Sequence, residues 1–194
     1  MQSSELASKA TVTIPTMDKL ETLSSDQVKV VNQAAAFSEE LVSDAYKMSA
    51  SQWLNSRYDI KTLADLKPEE IVHGPFAQVI RYEGRRLNES LTPSTFDFYK
   101  ICLQDHSILS VIRKNSGIQL YPFVLYIIIH ELIHIVRFSS FLQNFEANPK
   151  EMMAEEARVH KKTHDILQTI QLEGLPEVLG YYNNWLISIE KIEI

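Results

Sequence analysis

The stretch from Phe123 to Phe138 constrains the fold more than any other part of the chain. Val124, Leu125, Ile127, Ile128, Ile129, Leu132, Ile133, Ile135 and Val136 surround a helix drawn through it with apolar side chains. A helix that is apolar all round is a buried one, so the rest of the chain must wrap around it. The stretch is short for a membrane span. It also carries two histidines, a glutamate and an arginine, a polar load that a bilayer tolerates poorly. It therefore reads as a core helix, with no membrane partner.

What wraps around it is read from the punctuation. Only five glycines occur in 194 residues, few for the tight turns of a sandwich or barrel. Pro68, Pro93, Pro122, Pro149 and Pro176 each precede a helix-like pattern. Proline suits the first helical turn, where its missing N–H would be unpaired anyway. Thr92 and Asn148 stand before two of them as N-caps, and Asn115-Ser116-Gly117 reads as a helix stop.

These rules predict six helices: Ser25 to Ser56 with a break, Pro68 to Arg85 bent at Gly74-Pro75, Pro93 to Ser116, Pro122 to Gln143, Pro149 to Leu172, and Pro176 to Ile192. Only Phe96 to Leu103 competes as a strand. The expected fold is all-α, a compact bundle of about six helices around the buried central one. Residues 1–24, rich in Ser, Thr, Lys and Glu, read as a flexible tail, and 25–194 as a single helical metal-binding domain.

The net charge of −6 disfavours a nucleic-acid partner. The single cysteine, Cys102, can form neither an internal disulfide nor a cysteine-only zinc site. No basic start followed by an apolar run opens the chain, so the expected location is the cytoplasm. The amphipathic first and last helices offer surfaces for a homodimer.

Buried charges must be paired, hydrogen-bonded or metal-bound. The polar residues of the central helix, Tyr126, His130, Glu131, His134 and Arg137, therefore need an explanation. His130-Glu131-Leu132-Ile133-His134 is an H-E-x-x-H motif. Two histidines four apart lie on one helix face and can bind one metal, and the adjacent glutamate can take a proton from metal-bound water. The competing reading is two core histidines with Glu131 paired to Arg137.

On these residues the chain resembles the zincin metallopeptidases. The resemblance implies His130 and His134 as zinc ligands and Glu131 as general base. A catalytic zinc usually has a third protein ligand and one open position. The fifth helix has an apolar stripe of Met152, Val159, Thr163, Ile166 and Ile170. Glu156 falls in its middle, His160 at its edge, and Glu155 and His164 further out. The link 144–148 is short and favours a helical hairpin, which sets residues 156–160 level with His134.

The spacing resembles the gluzincin branch, whose third ligand is a glutamate on a later helix. Glu156 follows His134 by 22 residues. The thermolysin-like pattern Glu-Ala-x-x-Asp is matched by Glu156 and Ala157, but His160 stands at the aspartate position. His160 is therefore open to two readings, a residue supporting the ligands or a fourth ligand that closes the site. Zincin peptidases usually carry an edge strand that holds the peptide beside the zinc. The helical reading contains none, which weighs against peptide cleavage.

The resulting expectation is a zinc-dependent hydrolase with a metallopeptidase-like site, its substrate unnamed and a peptide among the candidates. Tyr126, Arg137 and His160 would orient ligands or stabilise an oxyanion. Tyr181 and Tyr182 read as packing residues, with proton donation at the site as the alternative. Imidazole with carboxylate also suits iron. Glu39, Glu83 and Asp105 fall on apolar stripes, and Glu131-Leu132-Ile133-His134 is formally the Glu-x-x-His of a di-iron bundle. That redox enzyme, and a non-catalytic protein stapled by a structural metal, are the alternatives. Asp105 is also a candidate to orient a ligating histidine.

Overall fold

The computed structural model describes residues 20–49, 53, 57–86, 94–140 and 148–190. Within them the chain forms helix α1 (Ser25–Tyr46) and strands β1 (Arg57–Lys61), β2 (Ala77–Arg86) and β3 (Ser94–Leu103). Helices α2 (Asp105–Lys114), α3 (Leu120–Ser139), α4 (Pro149–Leu167) and α5 (Leu175–Glu190) follow. Short 3-10 turns, Leu63–Asp65 and Pro68–Glu70, lie between β1 and β2.

Helix α3 is the core. Every side chain from Pro122 to Val136 is buried, the three polar residues of the motif included. By length and composition α3 could cross a bilayer, yet here it is surrounded by α1, α4, α5, β2 and β3. The expectation of a central helix is met by the geometry.

The all-α bundle is not what forms. A three-stranded sheet in the order β1-β3-β2 packs against α3, with β1 parallel and β2 antiparallel to the central β3. The expected second helix is replaced by a 3-10 turn at Pro68, a loop and β2. Pro68 does occupy a first-turn position, but only of a three-residue turn. Gly74, expected as a helix bend, takes φ +109° in the loop that leads into β2. The third expected helix divides into β3 and α2, while Thr92-Pro93 lies outside the described residues.

The physical reason is visible in β3. Tyr99, Ile101 and Leu103 face the main core. On the opposite face Cys102 packs with Leu63 and Leu66 of the 3-10 segment, and Lys100 meets Glu70. Because both faces are covered, Ile101-Cys102-Leu103 is a continuous apolar run with no strand-like alternation.

The helix boundaries follow local chemistry. Ser24 caps α1, accepting from Gln27 N–H at 3.3 Å while Gln27 Oε1 accepts from Ser24 N–H at 2.8 Å. Helix α1 ends at Tyr46, where Lys47 turns left-handed with φ 53°. Of its expected extension to Ser56, only residues 47–49 and 53 are described. Asn148, Pro149 and Glu151 make the expected start of α4. Helix α2 stops at Lys114, and the Asn115 amide donates back to the Val111 carbonyl at 2.8 Å.

Residues 1–19 of the expected tail lie outside the described residues. Residues 20–24 are held by the fold, since Leu23 is buried and Glu21 pairs with Arg113.

Candidate metal centre

One turn of α3 carries His130, Glu131 and His134, and the four-residue spacing aims both imidazoles the same way. Their rings are 4.8 Å apart and their Nε2 atoms 3.1 Å apart. Helix α4 supplies the third group. Glu156 places Oε2 3.2 Å from His130 Nε2 and Oε1 3.2 Å from His134 Nε2. Among the described residues this is the one cluster of three or more His, Cys, Asp or Glu side chains whose ligand atoms converge this closely.

These separations can be compared with an ion's geometry. Around a tetrahedral zinc with bonds of about 2.0–2.1 Å, neighbouring ligand atoms stand about 3.3 Å apart. The two imidazole Nε2 atoms stand 3.1 Å apart, close to that spacing, each Glu156 oxygen lies 3.2 Å from one imidazole, and one donor atom from each residue falls within 4.8 Å of the other two. Two imidazoles and a carboxylate also match the donor set of a catalytic zinc.

All three residues line a cleft of about 810 Å³, together with Glu131, His160 and Tyr126. Glu131 is buried, and burial raises its pKa against the opposing pull of His130 and His134. Burial also works to raise the pKa of Glu156. The hydrogen bonds and charges of His130 and His134 outweigh it and hold that carboxyl well below its usual range.

The fourth expected ligand, His160, stands outside the converging trio. Its ring lies 4.2 Å from that of His130, and its Nδ1 is 2.9 Å from the Tyr126 hydroxyl. Burial lowers its pKa to about 3, so its imidazole is neutral at pH 7. Tyr126 is itself fixed by stacking on Tyr182 at 3.7 Å. The His160–Tyr126 pair thus flanks the metal cluster.

Arg137 is not among the residues that line the cleft. Its guanidinium grips Glu155, with Nη2 3.1 Å from Oε2 and a second contact through Nε. This inverts the helical-wheel expectation for the two glutamates. Glu155, placed further out by the wheel, is buried under Arg137 and Arg158. Glu156, placed mid-stripe, keeps 42% of its side chain exposed because the cleft opens beside it. A wheel records which face is apolar and takes no account of a void next to that face.

The other acids do not reach the site. Asp105 accepts from the backbone N–H groups of Leu23 at 2.9 Å and Leu63 at 3.0 Å, so it fastens the N-terminal segment and the 3-10 turn. Asp105 therefore orients neither ligating histidine, and His130 Nδ1 has no hydrogen-bond partner among the described residues. Glu39 binds the Tyr58 hydroxyl, and Glu83 is exposed on β2 opposite Asp97.

Sequence reasoning missed one wall of the cleft. Phe76 and the first residues of β2, Ala77 to Val79, line it beside α3. Strand β2 is an edge of the sheet, paired only with β3 among the described residues. Its available signal was the β-branched and aromatic run Val79-Ile80-Arg81-Tyr82, which the proline-based helix reading overrode. Tyr181 and Tyr182 of α5, expected to pack, with a place at the site as the alternative, line the cleft. Comparison with known protein families, curated proteins and solved structures yields no match to this chain.

Proposed function

We propose that this chain is a zinc-dependent hydrolase with a metallopeptidase-like site. The observation that carries the reading is the convergence of ligand atoms from His130, His134 and Glu156 to within 4.8 Å of one another, with Glu131 beside them in the same cleft. Three protein ligands leave one position of a tetrahedral ion for water or substrate, as a catalytic site requires. A structural staple would fill that position, and His160 bonds Tyr126 outside the trio. A di-iron centre would need further carboxylates, but Glu39 and Asp105 are engaged elsewhere and Glu83 is exposed on β2.

A zinc ion held by His130, His134 and Glu156 would supply Lewis acidity at the cleft. Glu131 would accept a proton from the attacking water and return it to the leaving group. Burial raises its pKa, against the opposing charges of His130 and His134. His160 and Tyr126 form a neutral hydrogen-bonded pair at the cleft wall, suited to donating toward a substrate oxygen as charge develops there.

A peptide is the substrate that best suits the surroundings. An edge strand offers unpaired backbone groups to which an extended chain can add. The first three residues of β2 present such an edge along the cleft that holds the metal cluster.

The test is Glu131→Gln in the zinc-loaded protein, assayed on quenched fluorescent peptides. We expect unchanged zinc content and hydrolysis reduced by about 10²–10⁴-fold. Equal activity in the variant would remove Glu131 as the base.

A further inference from the structure

The cleft has a second feature besides the metal cluster, a continuous aromatic wall on the His160 side. Tyr182 lies 5.5 Å from the His160 ring and stacks on Tyr126. Phe76 follows, 6.4 Å from Tyr182 and 6.5 Å from Tyr181. On the other side Phe138 stacks over His134 at 6.0 Å. Among the described lining residues the carboxylates are Glu131 and Glu156, and none is a lysine or arginine.

An anionic group entering this cleft away from the metal would meet aromatic faces and two acids, with no side-chain countercharge. Burying a charge without a partner is costly, and like charges add to the cost. An aromatic or large aliphatic group would instead bury its surface against Phe76, Tyr181 and Tyr182 and gain from doing so.

We infer that Phe76, Tyr181 and Tyr182 form a specificity subsite for a bulky uncharged side chain beside the scissile bond, and that the site rejects acidic residues and free terminal carboxylates there. This rests on the metallohydrolase reading above. It goes further by naming the substrate class, and assigns selection to the loop before β2 and to helix α5. Tyr181, half-buried at the cleft, is the position from which the choice can be altered.

The experiment uses three hydroxamates binding to the zinc-loaded full chain, measured by calorimetry after zinc content is determined. Acetohydroxamate reads the metal alone. 3-Phenylpropanohydroxamate adds an aromatic arm, and succinate monohydroxamate adds a carboxylate on an arm of similar reach. We expect the phenyl compound to bind about tenfold or more tighter than acetohydroxamate. The carboxylate compound should bind no tighter than acetohydroxamate.

Tyr181→Arg should narrow or reverse the gap between the two longer probes. Similar affinities for all three probes in the wild type would overturn the subsite while leaving the metal reading intact. A chain that binds no zinc would instead overturn the earlier reading and this one with it. If Tyr181→Arg does not fold, the wild-type ranking decides. A folded variant with an unchanged ranking would remove Tyr181 from the subsite.

Discussion

Glu70 and Glu156 are both carboxylates gathered into side-chain clusters, and their surroundings differ in kind. Glu70 is closed in by groups of this chain. Lys100 Nζ donates to both of its oxygens at 2.7 Å, the Tyr82 hydroxyl donates at 2.7 Å, and Lys67 N–H donates at 2.8 Å. Its backbone carbonyl accepts from Gln78 and Gln104. Glu156 faces two imidazole nitrogens that are also close to each other, and the cleft opens beside all three. The first cluster is complete within the chain and ties the 3-10 turn to the sheet. The second is an arrangement of electron-pair donors around a common point, and the partner it suits is a cation. A buried acid is therefore a functional indicator only after its partners have been counted.

This contrast can be broken most sharply at His134. His134→Ala should reduce bound zinc from one per chain to none. The metal-free variant should unfold within about 1 kcal/mol of metal-free wild type, as expected if the cluster acts through a bound ion. Metal analysis and chemical denaturation read the two halves. Retained zinc would show that these residues are not its ligands.

The reciprocal change is Glu70→Gln. It leaves the Lys100 ammonium, mostly buried, without its anion, and should lower stability by about 3 kcal/mol with zinc content unchanged. Loss of zinc in this variant would mean that the two regions are coupled, and the contrast would fail.

Acid sharpens the same comparison at smaller amplitude. The Lys100 hydrogen bonds, against opposing burial, hold the Glu70 carboxyl down to about 2. A depressed carboxyl pKa adds stability above the unfolded value, about 4.3 for glutamate, and loses it as pH falls through the folded one. The stability gap between wild type and Glu70→Gln should therefore be full near neutrality and shrink between about pH 4.3 and 2. Urea titrations of both proteins at stepped pH measure it. A gap independent of pH would show that the charge of Glu70 is not its source.

The site was more legible in the sequence than the fold. His130, Glu131 and His134 lie within one helical turn, and the apolar residues around them were enough to bury that helix. Glu156 was reachable by simple geometry, because a short link between two helices makes residues equidistant from it neighbours. His160 was placed near the site, but its hydrogen bond to Tyr126 depends on a side chain 34 residues away. Arg137 was drawn off by Glu155, a pairing that requires knowing how α4 rotates against α3.

The amino-acid pattern by itself determined a buried helix with two imidazoles on one face, a third donor on the following helix, and a cap at Asn148. These depend on contacts within a few residues, or across one short hairpin, where helical periodicity is strong. Only the tertiary structure decided that 77–86 and 94–103 are strands and that β2 lies along the cleft. β1 meets β3 across a register offset of 41 residues, Arg57 against Phe98, and Glu70 meets Lys100 across 30. Strand pairing is a non-local bargain. Its stabilising hydrogen bonds and cross-strand contacts form only once distant segments meet, so local propensity and proline position do not reveal it.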